Sequence, residues 1–153
     1  MDPLTKKVSR DIAIHGRSFI SLGREGENPG FVYTIGLFER LRHPELIIVG
    51  VPRDVGFWLL NLMSTRIEAG ATFEEDRKYQ DLLEPPYHLA VRKVHPENVP
   101  EYMGTAVRYY GGAHFQALQV FLPDVEDRMP WEPGYQPKVA SDVRLLYLPP
   151  MMS

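Results

Sequence analysis

The chain has 153 residues, of which 44% are hydrophobic and 24% are charged, and this composition excludes a disordered protein. Seventeen basic and 20 acidic residues give a net charge of -3, which argues against a generic nucleic-acid binder. The lack of cysteine excludes disulfides, thiolate nucleophiles and cysteine-ligated metals, and the length suits one domain, which we expect to span residues 1–153.

The first third of the chain predicts one helix and three strands. Asp2 or Thr5 stands near the start of the helix, and Gly16 is placed to end it. Apolar residues recur at intervals of four along this short amphipathic helix: Leu4, Val8 and Ile12. β-Forming residues then predict three strands: residues 18–22, 31–38 and 46–51. The glycine-rich residues 23–30 predict a loop.

The following segments alternate helices with strands. Residues 53–69 predict the longest helix, and its apolar stripe consists of Val55, Leu59 and Leu62, joined by Trp58. Residues 98–110 predict a further helix that starts with Asn98 and Glu101 in capping-box spacing. Two more strands are predicted: residues 88–94 and 115–122. The polar residues 71–86 predict a loop.

The order of these elements predicts the α+β class. Three consecutive strands early in the chain favour a mixed or largely antiparallel sheet of five to six strands with two to three helices. Strict βα alternation and a phosphate-binding fingerprint are both missing, which excludes a Rossmann-type fold. Residues 31–38, 46–51 and 115–122 are the expected inner strands. Residues 123–153 form a proline-rich tail, in which residues 143–148 are predicted as an edge strand.

A histidine and a carboxylate stand close together between two predicted strands. His43 is followed by Pro44 and Glu45, and a carboxylate beside a histidine can fix its tautomer and raise its basicity. The pair is therefore a candidate general base. The alternative is that His43 and Pro44 shape the turn while Glu45 caps or pairs locally.

Other side chains are candidates for the same chemistry. His15 is a second possible base, Asp124 a second orienting carboxylate, and Thr34 a hydrogen-bonding hydroxyl. Alternatively, Thr34 bonds the backbone in the middle of its strand. The spacing of the five histidines matches no metal signature, so neither a metal site nor a cofactor is predicted.

Three side chains are candidates for ligand contacts: Tyr33, Gln119 and Trp131. Trp131 lies between prolines in a segment with little predicted regular structure, where aromatic rings often mark a binding surface. The alternative is that the ring pins the tail to the core. Because ordering the tail costs entropy that side-chain burial must offset, we predict that Trp131 docks on the sheet and borders the same cleft as His43.

Six short motifs are spread along the chain: HG at 15–16, PGFVYTIGL at 29–37, HPEL at 43–46, LQ at 118–119, PD at 123–124 and PW at 130–131. Together they make the sequence similar to a bacterial family known as domain of unknown function 4262. The resemblance covers residues 10–137. It implies that the candidate residues within these motifs belong to one pattern, and it carries no activity with it.

Three functions remain open at this point. The favoured one is a non-enzymatic module, of accessory or immunity type, that binds a protein or a small ligand. The second is a small hydrolase or transferase that uses the histidine and carboxylate near the YTIGL and HPEL segments. The third is a flavin- or nucleotide-binding barrel with Tyr33, Gln119 and Trp131 around a ring. Convergence of His43, Glu45, Thr34 and Gln119 in a concave pocket would favour an enzyme.

The expected partner is a protein or a small molecule rather than a nucleic acid or a membrane. The first residues contain no apolar leader segment, and no stretch has the 18 or more apolar residues of a membrane span. A cytoplasmic location is therefore predicted, and the oligomeric state is left open.

Overall fold

A computed structural model describes residues 2–150 of the protein. Its strands are β1 (Ser18–Leu22), β2 (Phe31–Ile35), β3 (Glu45–Val49), β4 (Ala90–Lys93) and β5 (Ala117–Phe121). Its α-helices are α1 (Pro3–His15), α2 (Leu37–Leu41), α3 (Arg53–Glu68), α4 (Val99–Tyr102) and α5 (Gly104–Tyr110). Two 3-10 turns, Pro96–Asn98 and Ala140–Asp142, complete the regular structure of these residues.

The five strands form one mixed sheet in the order β1-β2-β3-β5-β4. β3 and β5 run parallel, with Glu45 opposite Ala117, and the other three pairs are antiparallel. The α+β class, the mixed sheet and the three inner strands are confirmed. The number of helices is higher than predicted, because α2 was not foreseen and residues 98–110 are divided.

The sheet has an apolar layer on each face. On one face, α3 packs over the inner strands, and the buried residues there include Leu46, Ile48, Leu59, Leu60 and Met63. On the other face, α1, α4 and α5 bury a second set that includes Val8, Ile12, Tyr33, Ile47 and Met103. Successive side chains of the inner strands therefore point into different layers, which explains why these strands carry apolar residues on both faces.

Helix α1 follows the signals in its sequence. The Asp2 side chain accepts a hydrogen bond from the Thr5 backbone N–H at 2.9 Å, as an N-cap does. At the other end, Gly16 has φ of 85°, and its N–H bonds the Ile12 carbonyl. The predicted helix, with its start and its end, is confirmed.

Helix α3 is confirmed in position, and of its predicted stripe Leu59 is buried while the other members are not fully buried. Val55 is 40% and Trp58 is 57% exposed, and Leu62 is only partly buried. The buried side is set by Gly56, where an added Cβ would lie 3.0 Å from a methyl group of Val32. With this close approach, Leu59 faces the sheet together with three residues that were not predicted: Leu60, Met63 and Ile67.

The predicted strand over residues 31–38 ends early because the chain turns at Gly36. Its φ of 124° belongs to the region that favours glycine, and an added Cβ would lie 2.9 Å from the Gly16 carbonyl oxygen. Helix α2 begins at the next residue. The prediction of a continuous strand to residue 38 is therefore wrong.

Two predictions in the second half are also corrected. The predicted helix over residues 98–110 breaks at Met103, and the Asn98 side chain caps nothing. Its amide group instead donates to the carbonyls of Leu146 and Leu148. Residues 143–148 form no strand: a single backbone hydrogen bond, from the His95 N–H to the Leu146 carbonyl, joins them to the segment after β4, and the side-chain amides of Asn98 and Gln119 make the other contacts.

Candidate functional site

The carboxylate of Glu45 is fully buried and caps a helix from a neighbouring strand. It accepts hydrogen bonds from the backbone N–H groups of Gly36 at 3.0 Å, Leu37 at 3.3 Å and Phe38 at 3.2 Å. These groups belong to the first turn of α2, which has no side-chain cap of its own. The Glu45 carboxylate therefore completes the start of α2, with a negative charge at the favourable end of the helix.

Two hydroxyl groups complete this cluster, which we call the Glu45 centre (Thr34, Gly36, Glu45 and Tyr110). The Thr34 hydroxyl donates to Glu45 at 2.8 Å and accepts from the Leu46 N–H at 2.9 Å. The Tyr110 hydroxyl donates to Glu45 at 2.5 Å and accepts from the Gly36 N–H at 3.1 Å. The centre thus satisfies its own polar atoms within the protein.

Burial dominates the electrostatics of the Glu45 centre. It raises the pKa of Glu45, and the hydrogen bonds from Tyr110, Thr34 and the backbone only partly oppose this effect. Burial also raises the pKa of Tyr110, and the neighbouring Glu45 charge raises it further. Neither Thr34 nor Glu45 lines any of five surface cavities formed by residues 2–150.

His43 is buried in a separate environment. Its Nδ1 lies 2.8 Å from the Pro44 carbonyl oxygen, and its Nε2 accepts from the Phe73 N–H at 3.0 Å. These contacts place the proton on Nδ1 and keep the ring neutral. Burial lowers the pKa of His43, although the Pro44 carbonyl works in the opposite direction. Both ring nitrogens serve the backbone, and neither forms a pair with Glu45.

Tyr33 and Gln119 also hold the backbone in place. The buried Tyr33 hydroxyl accepts from the Thr105 N–H at 3.2 Å, in the first turn of α5. The Gln119 amide donates to the Arg144 carbonyl at 2.6 Å and accepts from the Leu146 N–H at 2.8 Å. Gln119 therefore fixes the tail against β5.

Asp124 organises the loop that follows β5. Its carboxylate accepts from the backbone N–H groups of Glu126, Arg128 and Gln136 and from the Arg128 side chain. Burial raises the pKa of Asp124, but these hydrogen bonds outweigh it and lower the pKa to about 2. The Asp124 carboxylate thus binds its own loop, and its low pKa makes it a weak base.

Trp131 packs against the sheet but not beside His43. Its ring makes edge-to-face contacts with Phe121, the last residue of β5, and with Tyr147. His43 precedes β3, whose first residue lies opposite the first residue of β5, and its partner Phe73 packs in the α3 layer. The prediction of a shared cleft is therefore wrong: the two side chains lie at opposite ends of the sheet.

The structure thus separates most of the predicted site. Thr34 and Glu45 meet, whereas His43, Gln119 and Asp124 each bind a different segment of backbone. Tyr33, Gln119 and Trp131 do not surround one ring-shaped space. This geometry does not favour the hydrolase, transferase or flavin alternatives.

An open groove lies elsewhere, along the outer edge of β1. This cavity of about 910 Å3, which we call the β1 groove, is lined by the β1 residues, by residues of α1 and α3, and by Thr105 and Arg108. His15, exposed at the end of α1, is the one predicted site residue that lines it. Sequence reasoning missed Arg53 and Phe57, because only the fold brings them to this groove.

Residues 2–150 contain neither a cluster of metal-ligating side chains nor a membrane-spanning helix. No three histidine, aspartate or glutamate side chains are grouped so as to hold a metal ion. No helix in this range combines the length and the apolar character needed to cross a membrane.

The fold and the Glu45 centre together define an α+β protein with a five-stranded mixed sheet. In this protein the buried carboxylate of Glu45, on β3, caps helix α2. A family model described as "Domain of unknown function (DUF4262)" matches residues 11–136, and the chain belongs to this family. The resemblance seen in the sequence motifs is therefore confirmed. No curated protein and no solved structure matches the chain.

Proposed function

We propose that the protein is a non-enzymatic binding module that takes an extended, acidic segment of a partner protein as an additional strand beside β1. The single observation that carries the proposal is the free edge of β1. Its one neighbour in the sheet is β2, and no backbone hydrogen bond within residues 2–150 occupies its other side. An exposed edge of this kind accepts a further strand through main-chain hydrogen bonds.

The register identifies which backbone groups are free. The Gly50 N–H donates to the Gly30 carbonyl, so the even-numbered residues of β2 bond β3 and the odd-numbered ones bond β1. The odd-numbered residues of β2 lie opposite Ser18, Ile20 and Leu22. The N–H and C=O groups of Phe19 and Ser21 therefore point outward, towards an added strand.

The walls of the groove supply apolar contacts on both sides of this edge. Leu4 of α1 is 38% exposed and Leu22 of β1 is 47% exposed, and both line the groove. Phe57 of α3 lines the other side and packs against the Phe19 ring at 5.6 Å. Side chains of a bound strand alternate between the two faces and would reach both walls.

The charge of the groove favours an acidic segment. Four basic side chains line it, and Asp11 is its one carboxylate. Lys7 and Arg17 already have acidic partners, Asp11 and Glu68. Arg53 and Arg108 have no carboxylate of residues 2–150 within salt-bridge distance, and they flank β1 from the α3 layer and the α5 layer. They are available to a partner although the whole chain is acidic.

Binding of a synthetic peptide tests the proposal. The probe is a capped hexapeptide, Glu-Glu-Val-Val-Glu-Glu, which places glutamate on both faces of an added strand, and the same peptide with lysine in place of glutamate is the charge control. We expect the acidic peptide to shift the amide resonances of residues 18–22 in a saturable way. Ser21→Pro removes one outward N–H and should weaken binding at least tenfold, whereas Ser21→Ala keeps that N–H and should bind as the parent does.

The charges are tested in the same assay. Arg53→Met and Arg108→Met should each weaken binding about fivefold or more, whereas Arg10→Met, an exposed arginine outside the groove, should not. Equal binding by the Ser21→Pro and Ser21→Ala variants would overturn the proposal. So would a preference for an oligothymidylate over the peptide, because that result would assign the groove to nucleic acid.

A further inference from the structure

A second feature lies at the opposite side of the sheet, on β4. The Arg92 guanidinium stands in the corner between two aromatic rings, 3.9 Å from the centre of the Trp131 ring and 4.6 Å from that of Tyr147. The two rings are nearly perpendicular to each other, with an interplanar angle of 82°. This corner fixes the position of the guanidinium through cation–π contacts.

Arg92 differs from the other arginines because it is half-buried and yet has no hydrogen-bond or ion-pair partner among residues 2–150. Four arginines bind a carboxylate: Arg17, Arg24, Arg40 and Arg128. Arg42, Arg53 and Arg77 lie over aromatic rings as Arg92 does, but they are exposed. Arg92 is half-buried, and among residues 2–150 no hydrogen bond or ion pair engages its N–H groups.

The Arg92 nitrogens keep contact with solvent, since Asn98 Oδ1 is the one buried side-chain polar atom of residues 2–150 without a partner. Their N–H groups are therefore open to an acceptor that a ligand brings into the cleft. Arg92 lines a cleft of about 540 Å3, a volume in the range of small-molecule sites. Lys93, His95 and His114 also line this cleft, and Glu75 is its one carboxylate. Val94, Val99 and Phe115 provide an apolar wall.

We propose that Arg92 is the anion-binding group of a small-molecule site in this cleft. The ligand is a small molecule that carries a carboxylate or a phosphate on an apolar body. The rings cover part of the guanidinium and leave N–H groups at its edge, which is the part that binds the two oxygens of such an anion in parallel. The site lies on a different edge strand from the β1 groove and does not depend on the proposed function.

Trp131 provides the reporter for the test. In a Trp58→Phe background it is the one tryptophan of the chain, so its fluorescence reports on the corner around Arg92. The probes are phenyl phosphate and benzoate, with benzamide as the neutral analogue of benzoate. We expect saturable quenching or enhancement with at least one of the two anions and none with benzamide. Comparison of the two anions distinguishes a phosphate ligand from a carboxylate ligand.

Substitution of Arg92 then identifies the anion-binding group. Arg92→Lys keeps the charge but loses the planar fork, and we expect it to weaken binding of the preferred anion at least tenfold. Arg77→Lys, at an exposed arginine over the Tyr79 ring and outside the cleft, is the matched control and should bind like the parent. Circular dichroism establishes that each variant is folded. The proposal is overturned if neither anion binds saturably, if benzamide binds equally well, or if Arg92→Lys binds like the parent.

Discussion

The Glu45 centre and the β1 groove differ in whether their polar groups have hydrogen-bond partners within the protein. In the centre, one buried carboxylate receives two hydroxyl donors and three backbone N–H groups. Along the groove, the backbone groups of Phe19 and Ser21 face outward without a partner among residues 2–150. The residues with the chemistry of a catalyst therefore build the fold, and the free hydrogen-bonding capacity lies on a strand with no chemical motif.

Among the predictions that test this comparison, removal of the Glu45 carboxylate should have the largest effect on stability. Glu45→Ala leaves the buried donors of the α2 start, Thr34 and Tyr110 without an acceptor, and we expect it to lower the free energy of unfolding by about 3–5 kcal/mol. Urea unfolding measures the change. Glu84→Ala, at an exposed position, serves as the control and should stay within about 0.5 kcal/mol of the parent. A loss below about 1 kcal/mol in Glu45→Ala would show that the centre is not structural.

Helix α3 sharpens the contrast, because one of its faces lies in the core and its first turns line the groove. Leu59→Ala should cost about 2–5 kcal/mol, since Leu59 is fully buried. Leu62→Ala should cost about 1 kcal/mol, because Leu62 only packs at the margin of the core. The sequence periodicity assigns both leucines to one buried stripe, so equal losses in urea unfolding would restore that interpretation.

His43 tests whether a second buried polar group is structural. His43→Ala should cost about 1–3 kcal/mol, because the Phe73 N–H loses its acceptor in the interior. Burial lowers the pKa of His43 below 6.5, so between the folded pKa and 6.5 the unfolded chain binds more protons. The free energy of unfolding should therefore rise with pH through this window and gain nothing more from His43 above it.

The pH dependence is isolated by difference. His43→Gln removes the titrating group, so the unfolding curve of the parent should rise more steeply than that of the variant as the pH approaches 6.5. Parallel curves would mean that His43 titrates alike in the folded and unfolded chains, which contradicts its buried, neutral state.

Local signals in the sequence predicted much of the fold. Helix α1 carries its own cap at Asp2 and its own stop at Gly16, and the inner strands are rich in apolar residues on both faces. Helix α2 was missed because it has five residues and its cap, Glu45, comes from the next strand. Local sequence propensity cannot predict a helix cap when the capping side chain reaches the helix only through the pairing of two strands.

The candidate site was predictable in its members but not in their roles. The family motifs identified Thr34 and Glu45 as part of one pattern, and the structure brings these two together. Adjacency in sequence suggested a dyad of His43 and Glu45, but the two side chains serve different backbone segments. The β1 groove could not be predicted, since Leu4, Phe57 and Arg108 meet only after three helices have packed on the sheet.

Amide hydrogen exchange in the native protein tests the central contrast most directly, because it reads both regions in one experiment. The N–H groups of Gly36, Leu37 and Phe38, which bond Glu45, should exchange slowly. The N–H groups of Phe19 and Ser21 should exchange rapidly in the free protein and become protected when the glutamate and valine peptide is added. Slow exchange of Phe19 and Ser21 in the free protein, or no change on adding the peptide, would contradict the account.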